Sequence, residues 1–398
     1  MRLLVRLIAA ALIAMAPASA GGAAAADGPE PVRAPLHLSR NAVPGEYIVV
    51  LDEGVDAVGL TERLRLWPTF QYGAAMNGFA VPLTPAQLDR VRTTPGVKSV
   101  EADSEVFAPP APVTTGPAPT AGRAPAPTWG LDRIDQRTLP LDGAFTTRGD
   151  GAGVTAYILD TGIDYDHPEF GGRAAPGFDA IGDGRDGRDC QGHGTHVAGT
   201  VGGRTYGVAP AVGLVSVRVL DCEGRGTYSG VVAGLDWVAE HAARPAVMNV
   251  SLGGDRSDAV NRATTAVAAA GVLPVVAAGN SAADACASSP ASAERVLAVG
   301  ASGPRDEVSS FSNWGACVAL HAPGEQIESA RLGGGSVALK GTSMAAPHAT
   351  GVAALHLAAS PTASPEALAA RLTGTSTPGL LTGLRPGAPD RLLFTGGL

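Results

Sequence analysis

The chain has 398 residues, enough to bury a sizeable core and to form more than one domain. Charged residues make up 17 % and the formal charge is −8, against roughly 25 % charged residues in an average soluble protein. That acidic balance excludes the basic face of a nucleic-acid binder.

The first feature in chain order is MRLLVRLIAAALIAMAPASA, residues 1–20. Arg2 and Arg6 precede an apolar run from Leu7 to Met15, and Ala18-Ser19-Ala20 closes it. This is the pattern of a secretory signal peptide, with an apolar stretch too short to span a bilayer. No later segment reaches the roughly 18 apolar residues of a membrane span. The mature protein is therefore expected to be soluble, secreted and extracellular. Export also changes how Cys190, Cys222, Cys286 and Cys317 read, since an even set of cysteines in an oxidising compartment forms disulfides. Three pairings are open by arithmetic, and the two short spacings suggest two sequential loops. No C-x-x-C or C-x-x-H pair supports zinc.

Residues 21–43, with GGAAAADGPEPVRAP, are of low complexity and expected to be disordered. Residues 44–107 read as a small α+β unit. GEYIVVLDE and AAMNGFAVPLT supply strands, PAQLDRVRTTPGV a short helix with a Pro-Gly stop, and VKSVEADSEV a closing strand. So small a unit is marginal alone. Residues 108–128, rich in Pro and Ala, read as an extended, protease-accessible linker. From Trp129 onward, residues 129–398, apolar strands alternate with helices. The strands are GVTAYILD, VGLVSVRVL, AVMNVSLG, VLPVVAAGN and RVLAVGA. The helices are GHGTHVAGTVGG, SGVVAGLDWVAEHAA and DAVNRATTAVAAAG. Alternation of this kind implies a parallel sheet covered on both faces, with functional groups at the carboxyl ends of its strands.

Three chemistry-bearing residues fall at such positions. Asp160 ends the apolar strand of AYILDTGI, His193 opens a helix of small residues in CQGHGTHVAGT, and Ser343 opens another in GTSMAAPH. Each alone has a structural explanation: a turn-capping Asp, a core histidine, a helix-capping serine. Together they are the trio that acyl transfer needs. A serine hydroxyl is a poor nucleophile until an imidazole takes its proton, and the imidazole needs an anion to fix its tautomer. Asn280, after Gly279 in VVAAGNS, offers an amide to a developing oxyanion, which the N-terminus of the Ser343 helix would also stabilise.

ILDTGI, GHGTHVAGT, SLGG, AAGN and GTSMAAPH resemble the signature segments of subtilisin-like serine proteases. WGLDRIDQRTLPLD and VLDCEGRGTYSGVVAGLDWV are similar to the proteinase K and aqualysin-like branch. The resemblance runs almost continuously from Trp129 to the C-terminus. It implies an α/β, three-layer fold with a mainly parallel central sheet flanked by helices. It also implies Asp160 as orienter, His193 as general base and acid, Ser343 as nucleophile, Asn280 as oxyanion donor and His196 as structural. Peptide would pair with two extended edges, Gly224-Arg225-Gly226-Thr227-Tyr228 and Ser251-Leu252-Gly253-Gly254. Ser251-Leu252-Gly253 and Ala277-Ala278-Gly279 would wall the primary pocket, predicting broad cleavage after apolar or aromatic residues. The branch also pairs its cysteines as Cys190–Cys222 and Cys286–Cys317. Residues 44–107 resemble the inhibitor I9-type, ferredoxin-like propeptide of the family, an intramolecular inhibitor and chaperone. Self-cleavage is then expected at about Gly122 to Thr128.

Asp132, Asp135, Gln136 and Asp142 in LDRIDQRTLPLDG match a structural calcium site of that branch, with Ala144 where a further polar ligand is expected. Asp179, Asp183, Asp186 and Asp189 read as a second candidate calcium cluster. A third family site, around Pro290 and Ser292, has Ala319 in place of its aspartate and is expected to bind weakly or not at all. The expected partners are protein and peptide substrates and the chain's own propeptide, with no nucleic acid or membrane, for a monomer. Two other readings fit less well. A catalytically dead subtilase would lack one of the four chemical residues. An α/β-hydrolase esterase would carry its serine in G-x-S-x-G, in the order Ser, Asp, His.

Overall fold

The computed structural model describes residues 33–108 and 126–398. Residues 1–20, expected to be a signal peptide, residues 21–32 and residues 109–125, with the first part of the expected cleavage stretch, lie outside the described residues. In the N-terminal part the order is β1 (Leu36–His37), β2 (Ala42–Leu51), α1 (Ala57–Leu64), β3 (Phe70–Tyr72), β4 (Gly78–Pro82), α2 (Pro85–Arg92) and β5 (Val97–Phe107). The sheet runs β1-β5-β2-β4-β3, antiparallel except for the β1–β5 pair. Residues 36–43, expected to be disordered, instead contribute β1 and the start of β2. The α2 helix forms where its sequence asks for it: Thr84 and Gln87 make a reciprocal capping box with Pro85 at the first turn. The α1 helix and β3 are additional to the expected elements: α1 lacks the Pro and the reciprocal capping box that mark α2, and three residues are too short to show a period.

This small sheet has two apolar faces. Val49, Leu51, Phe79, Val81 and Val100 pack with Leu60, Leu64 and Val91 of its own helices. Ile48, Val50, Tyr72 and Ala80 on the other face join a core with residues of the C-terminal part. A unit that completes one face against another domain cannot bury that apolar area by itself, which agrees with its marginal size.

The C-terminal part continues with α3 (Trp129–Ile134), β6 (Thr155–Asp160), β7 (Ala174–Asp179), α4 (His193–Gly202), β8 (Gly213–Arg218), β9 (Arg225–Thr227), α5 (Tyr228–His241), β10 (Ala246–Val250), β11 (Gly254–Asp255) and α6 (Asp258–Ala269). Then come β12 (Leu273–Ala277), β13 (Ser288–Ser289), β14 (Leu297–Ser302), β15 (Leu320–Pro323), β16 (Ile327–Ala330), β17 (Ser336–Leu339), α7 (Thr342–Ala359), α8 (Pro365–Thr375), β18 (Thr377–Pro378) and β19 (Arg391–Leu392). The central sheet has the order β18-β19-β15-β14-β12-β10-β6-β8-β7 and is parallel apart from β18.

The strands are buried on both faces, as continuous apolar runs require. Along β6 the side chains alternate. Ala156 and Ile158 pack with α4, α7 and α8, while Tyr157 and Leu159 pack with α5 and α6. These are the three layers. The α7 helix is buried from Thr342 to Leu357, and its small residues let it pass close to its neighbours. A Cβ on Gly351 would meet the Val208 Cβ at 2.4 Å. β10, β6 and β12 are adjacent strands of this sheet, so the segments that follow them all emerge at one edge. Among the described residues, no helix is long and apolar enough to cross a membrane.

Candidate active site

Asp160 is the last residue of β6 and is fully buried. Its Oδ1 and Oδ2 lie 2.8 and 3.0 Å from Nδ1 of His193, the first residue of α4, so Nδ1 carries the proton and donates it to the carboxylate. Nε2 has no partner. Burial pulls the imidazole pKa down, but the charge and hydrogen bond of Asp160, with a further contribution from Asp189, outweigh it and hold His193 above its ordinary value.

The turn into α4 is built around Asp189. Its Oδ1 accepts from Thr161 Oγ1 and from the N–H groups of Gln191 and Gly192, and its Oδ2 from Thr195 N and Oγ1. Asp189 was read as part of an acidic ion site, whereas the structure makes it the organiser of the His193 loop. His196, one turn on, donates Nε2–H toward the carbonyls of Ile327 and Val337 in the β16–β17 hairpin, and burial pushes its pKa down to about 3. It stays neutral as a structural tie.

Ser343 is the second residue of α7, not its cap; Gly341 caps the helix without a side chain. In this state the Ser343 hydroxyl donates to the Ser251 carbonyl at 3.0 Å and makes no bond to His193. The Ser251 carbonyl, one residue past β10, thus competes with the imidazole for the hydroxyl proton. Asn280 Oδ1 accepts from Thr342 N and Oγ1 at 2.8 and 2.9 Å. That fixes the amide, and Nδ2 is left as the donor beside a cavity of about 380 Å³ whose wall includes Asn280 and Ser343. Leu252, Gly253, Ala277, Ala278 and Gly279 line the same cavity, and the exposed Asp255 adds one acidic group. His348, further along α7, has its Nδ1 bonded to the Met344 carbonyl, and burial pushes it down to about 4, so it stays neutral.

The two expected edges are occupied. β5 of the N-terminal part pairs antiparallel with β9, with Glu105, Val106 and Phe107 opposite Thr227, Gly226 and Arg225. Phe107 also bridges Gly253, and Ala108 N–H donates to the Gly224 carbonyl at 2.8 Å. The chain thus lies as a middle strand between both edges, and Val106 is fully buried.

Three buried carboxylates anchor this arrangement, and none was singled out from the sequence. Asp103 accepts from Ser229 N at the start of α5, Glu101 from Ala259 N at the start of α6, and Asp236 from the N–H groups of Gly73, Ala74 and Ala75. The signal for the first two was visible: acidic residues at alternate positions of one strand share a face, and that face needed positive partners.

Two disulfides are formed, Cys190–Cys222 and Cys286–Cys317. At the first candidate calcium site, Asp132 Oδ2 accepts from Gly143 N and Asp135 Oδ2 from Thr146 N, while Oδ1 of each is buried without a partner. Burial and the charges of Asp142 and Asp132 push Asp135 up to about 6. Asp142 accepts from Ala144 N, and Gln136 Oε1 from Asp142 N. Among the described residues no three acidic or His/Cys side chains form a metal cluster by themselves. The two orphaned oxygens nevertheless fit a hard cation completed by carbonyls or water. The second acidic cluster does not fit an ion. The buried Arg218 guanidinium takes Asp179 and Asp183 at 2.6 to 3.0 Å, and Asp189 is fully engaged as above. An arginine in the Val-rich VSVRVL stretch was the sequence sign of that pairing.

Fold and site together define a hydrolase of the serine-protease type, and comparison with known proteins gives the family. The subtilase (Peptidase S8) family model matches residues 151–393 and the peptidase inhibitor I9 model residues 46–108. The chain belongs to the subtilase family and is a serine proteinase with an I9 propeptide domain. It is 46 % identical over 381 residues to an extracellular serine proteinase of Thermus sp. (strain Rt41A), covering 89 % of this chain and 90 % of that one. It is 44 % identical over 350 residues to alkaline serine exoprotease A of Vibrio alginolyticus, covering 88 % of this chain and 64 % of that longer relative. The crystal structure of a cold adapted subtilisin-like serine proteinase is 50 % identical, with a TM-score of 0.67, and covers 68 % of this chain and 98 % of that one.

Asp160→Asn is expected to lower the His193 pKa, because the largest charge opposing burial is removed and only the smaller contribution of Asp189 remains. Titration of His193 by NMR in a Ser343→Ala background, with and without the change, reads this directly. An unaltered midpoint would mean that Asp160 does not set the charge of the ring.

Proposed function

We propose that the protein is a secreted serine endopeptidase, made as a self-processed zymogen, with Asp160, His193 and Ser343 as its triad. The observation that carries the reading is the buried pairing of Asp160 with His193 Nδ1, which leaves Nε2 without a partner, while Ser343 stands in the first turn of α7. With a peptide carbonyl in the cleft, Ser343 Oγ turns from the Ser251 carbonyl toward Nε2. His193 takes the proton as Oγ bonds to the carbonyl carbon, and Asp160 stabilises the imidazolium. The oxyanion lies against Asn280 Nδ2 and the Ser343 N–H, a first-turn donor without an intrahelical acceptor. His193 then protonates the leaving amine, and water hydrolyses the acyl-enzyme by the same steps in reverse.

Substrate backbone takes the place that β5 holds between Gly224–Tyr228 and Ser251–Gly254. The small, mostly neutral lining of the cavity favours an apolar or aromatic residue before the scissile bond. The N-terminal domain acts as inhibitor, because its closing strand fills the cleft. It also acts as a folding template, because a largely parallel sheet forms slowly. Secretion is supported by the N-terminal sequence pattern and by the extracellular relative.

Calcium is the proposed structural ion at Asp132, Asp135, Gln136 and Asp142, where it supplies positive charge to carboxylates that otherwise repel one another. Removing it with a chelator is expected to lower the unfolding temperature, and calcium to restore it. Identical melting curves in both conditions would remove calcium from the account.

Maturation tests the enzyme reading. Ser343→Ala made in a protease-free host is expected to accumulate at full precursor mass, while the unsubstituted chain loses residues up to the linker. Normal processing of Ser343→Ala would overturn self-cleavage.

A further inference from the structure

Pro347 stands in the sixth position of α7 and has no N–H, so the Ser343 carbonyl lacks the donor four residues on that a helix would supply. The structure fills that gap from β10 and the residue after it. Ser251 Oγ donates to the Ser343 carbonyl at 2.9 Å, while the Ser343 hydroxyl donates back to the Ser251 carbonyl at 3.0 Å. A hydroxyl has one proton, so something must direct the Ser251 proton to that carbonyl. Asn249 does so. Its Nδ2 donates to Ser251 Oγ at 2.8 Å and occupies the acceptor side of the hydroxyl. Its own Oδ1 faces Thr350 Oγ1 at 2.9 Å, two turns further along α7, the shorter of that hydroxyl's two contacts, the other being the Ala346 carbonyl at 3.1 Å. Asn249, Ser251, Ser343 and Thr350 are all buried, so no bulk water competes for these groups.

We infer that Asn249 is a positioning residue for Ser343, acting through the Ser251 hydroxyl. The chain Thr350–Asn249–Ser251–Ser343 ties the first turn of α7 to the end of β10, and so ties the nucleophile to the edge on which substrate backbone lies. Losing it leaves the cleft intact but lets the Ser343 backbone turn drift at the moment of attack. The inference rests on Ser343 being the nucleophile.

The test uses the mature enzyme, with Asn249→Ala, Ser251→Ala and the double variant. Two quantities are read: kcat and KM on a peptide substrate, and the rate at which a fluorophosphonate modifies Ser343, mapped by peptide mass analysis. Each single change is expected to lower kcat and the labelling rate by about 10- to 100-fold, the scale of a small misplacement of a reacting group, with KM within about twofold. The double variant is expected to be no slower than the slower single, because both remove one tie. Labelling of Ser343 at equal rates in Asn249→Ala and the unsubstituted enzyme would overturn the inference alone, as would losses that multiply in the double variant or fall on KM only. Absence of Ser343 labelling in the unsubstituted enzyme would instead overturn the reading of the nucleophile, and the inference with it. Should Asn249→Ala not mature, Thr350→Val removes the hydroxyl that faces the Asn249 amide, together with its contact to the Ala346 carbonyl within α7. It is expected to shift the same two rates in the same direction by less, and unchanged rates there count against the inference.

Discussion

The site depends on a fully buried carboxylate held against an imidazole. Asp160 sits at the end of a strand with no exposed surface, where an unpaired charge is costly. Two hydrogen-bond contacts to His193 Nδ1 and one from Thr161 N offset that cost. The same pairing fixes which imidazole nitrogen carries the proton and leaves the other one free. Much of the surrounding architecture serves this pair: the parallel sheet delivers Asp160 to its edge, and Asp189 shapes the loop that starts α4.

The cleft and the N-terminal domain answer one physical problem from two sides. An enzyme cleft with two unpaired backbone edges is an open invitation to any extended chain. In this structure that chain is the domain's own closing strand, which Glu101 and Asp103 tie to the starts of α6 and α5, while Asp236 of α5 takes the amides of Gly73, Ala74 and Ala75. The small sheet in turn completes one apolar face on α5 and α6. The two parts share one apolar cluster, in which Ile48, Val50, Tyr72 and Ala80 lie with residues of α5 and α6.

Much of this was legible in the sequence. Continuous apolar strands alternating with helices gave the parallel sheet, because burial on both faces leaves no room for polar alternation. The ends of those strands then drew attention to Asp160 and Asn280. Short elements such as β1, β3 and β19 escaped, since two or three residues carry no period. The acidic Asp179–Asp189 stretch misled because a carboxylate looks the same in sequence whether an ion or Arg218 faces it. Hidden altogether was the Ser251 hydroxyl: its role follows from the N–H that Pro347 lacks, a relation between segments ninety-odd residues apart.

The account is tested most directly by following fluorophosphonate modification of the mature protein against pH, with the modified residue mapped. It predicts one modified residue, Ser343, at a rate that falls as acid protonates His193, with a midpoint above the ordinary imidazole value of about 6.5. Modification at another residue, or a Ser343 rate indifferent to pH across that range, would contradict it.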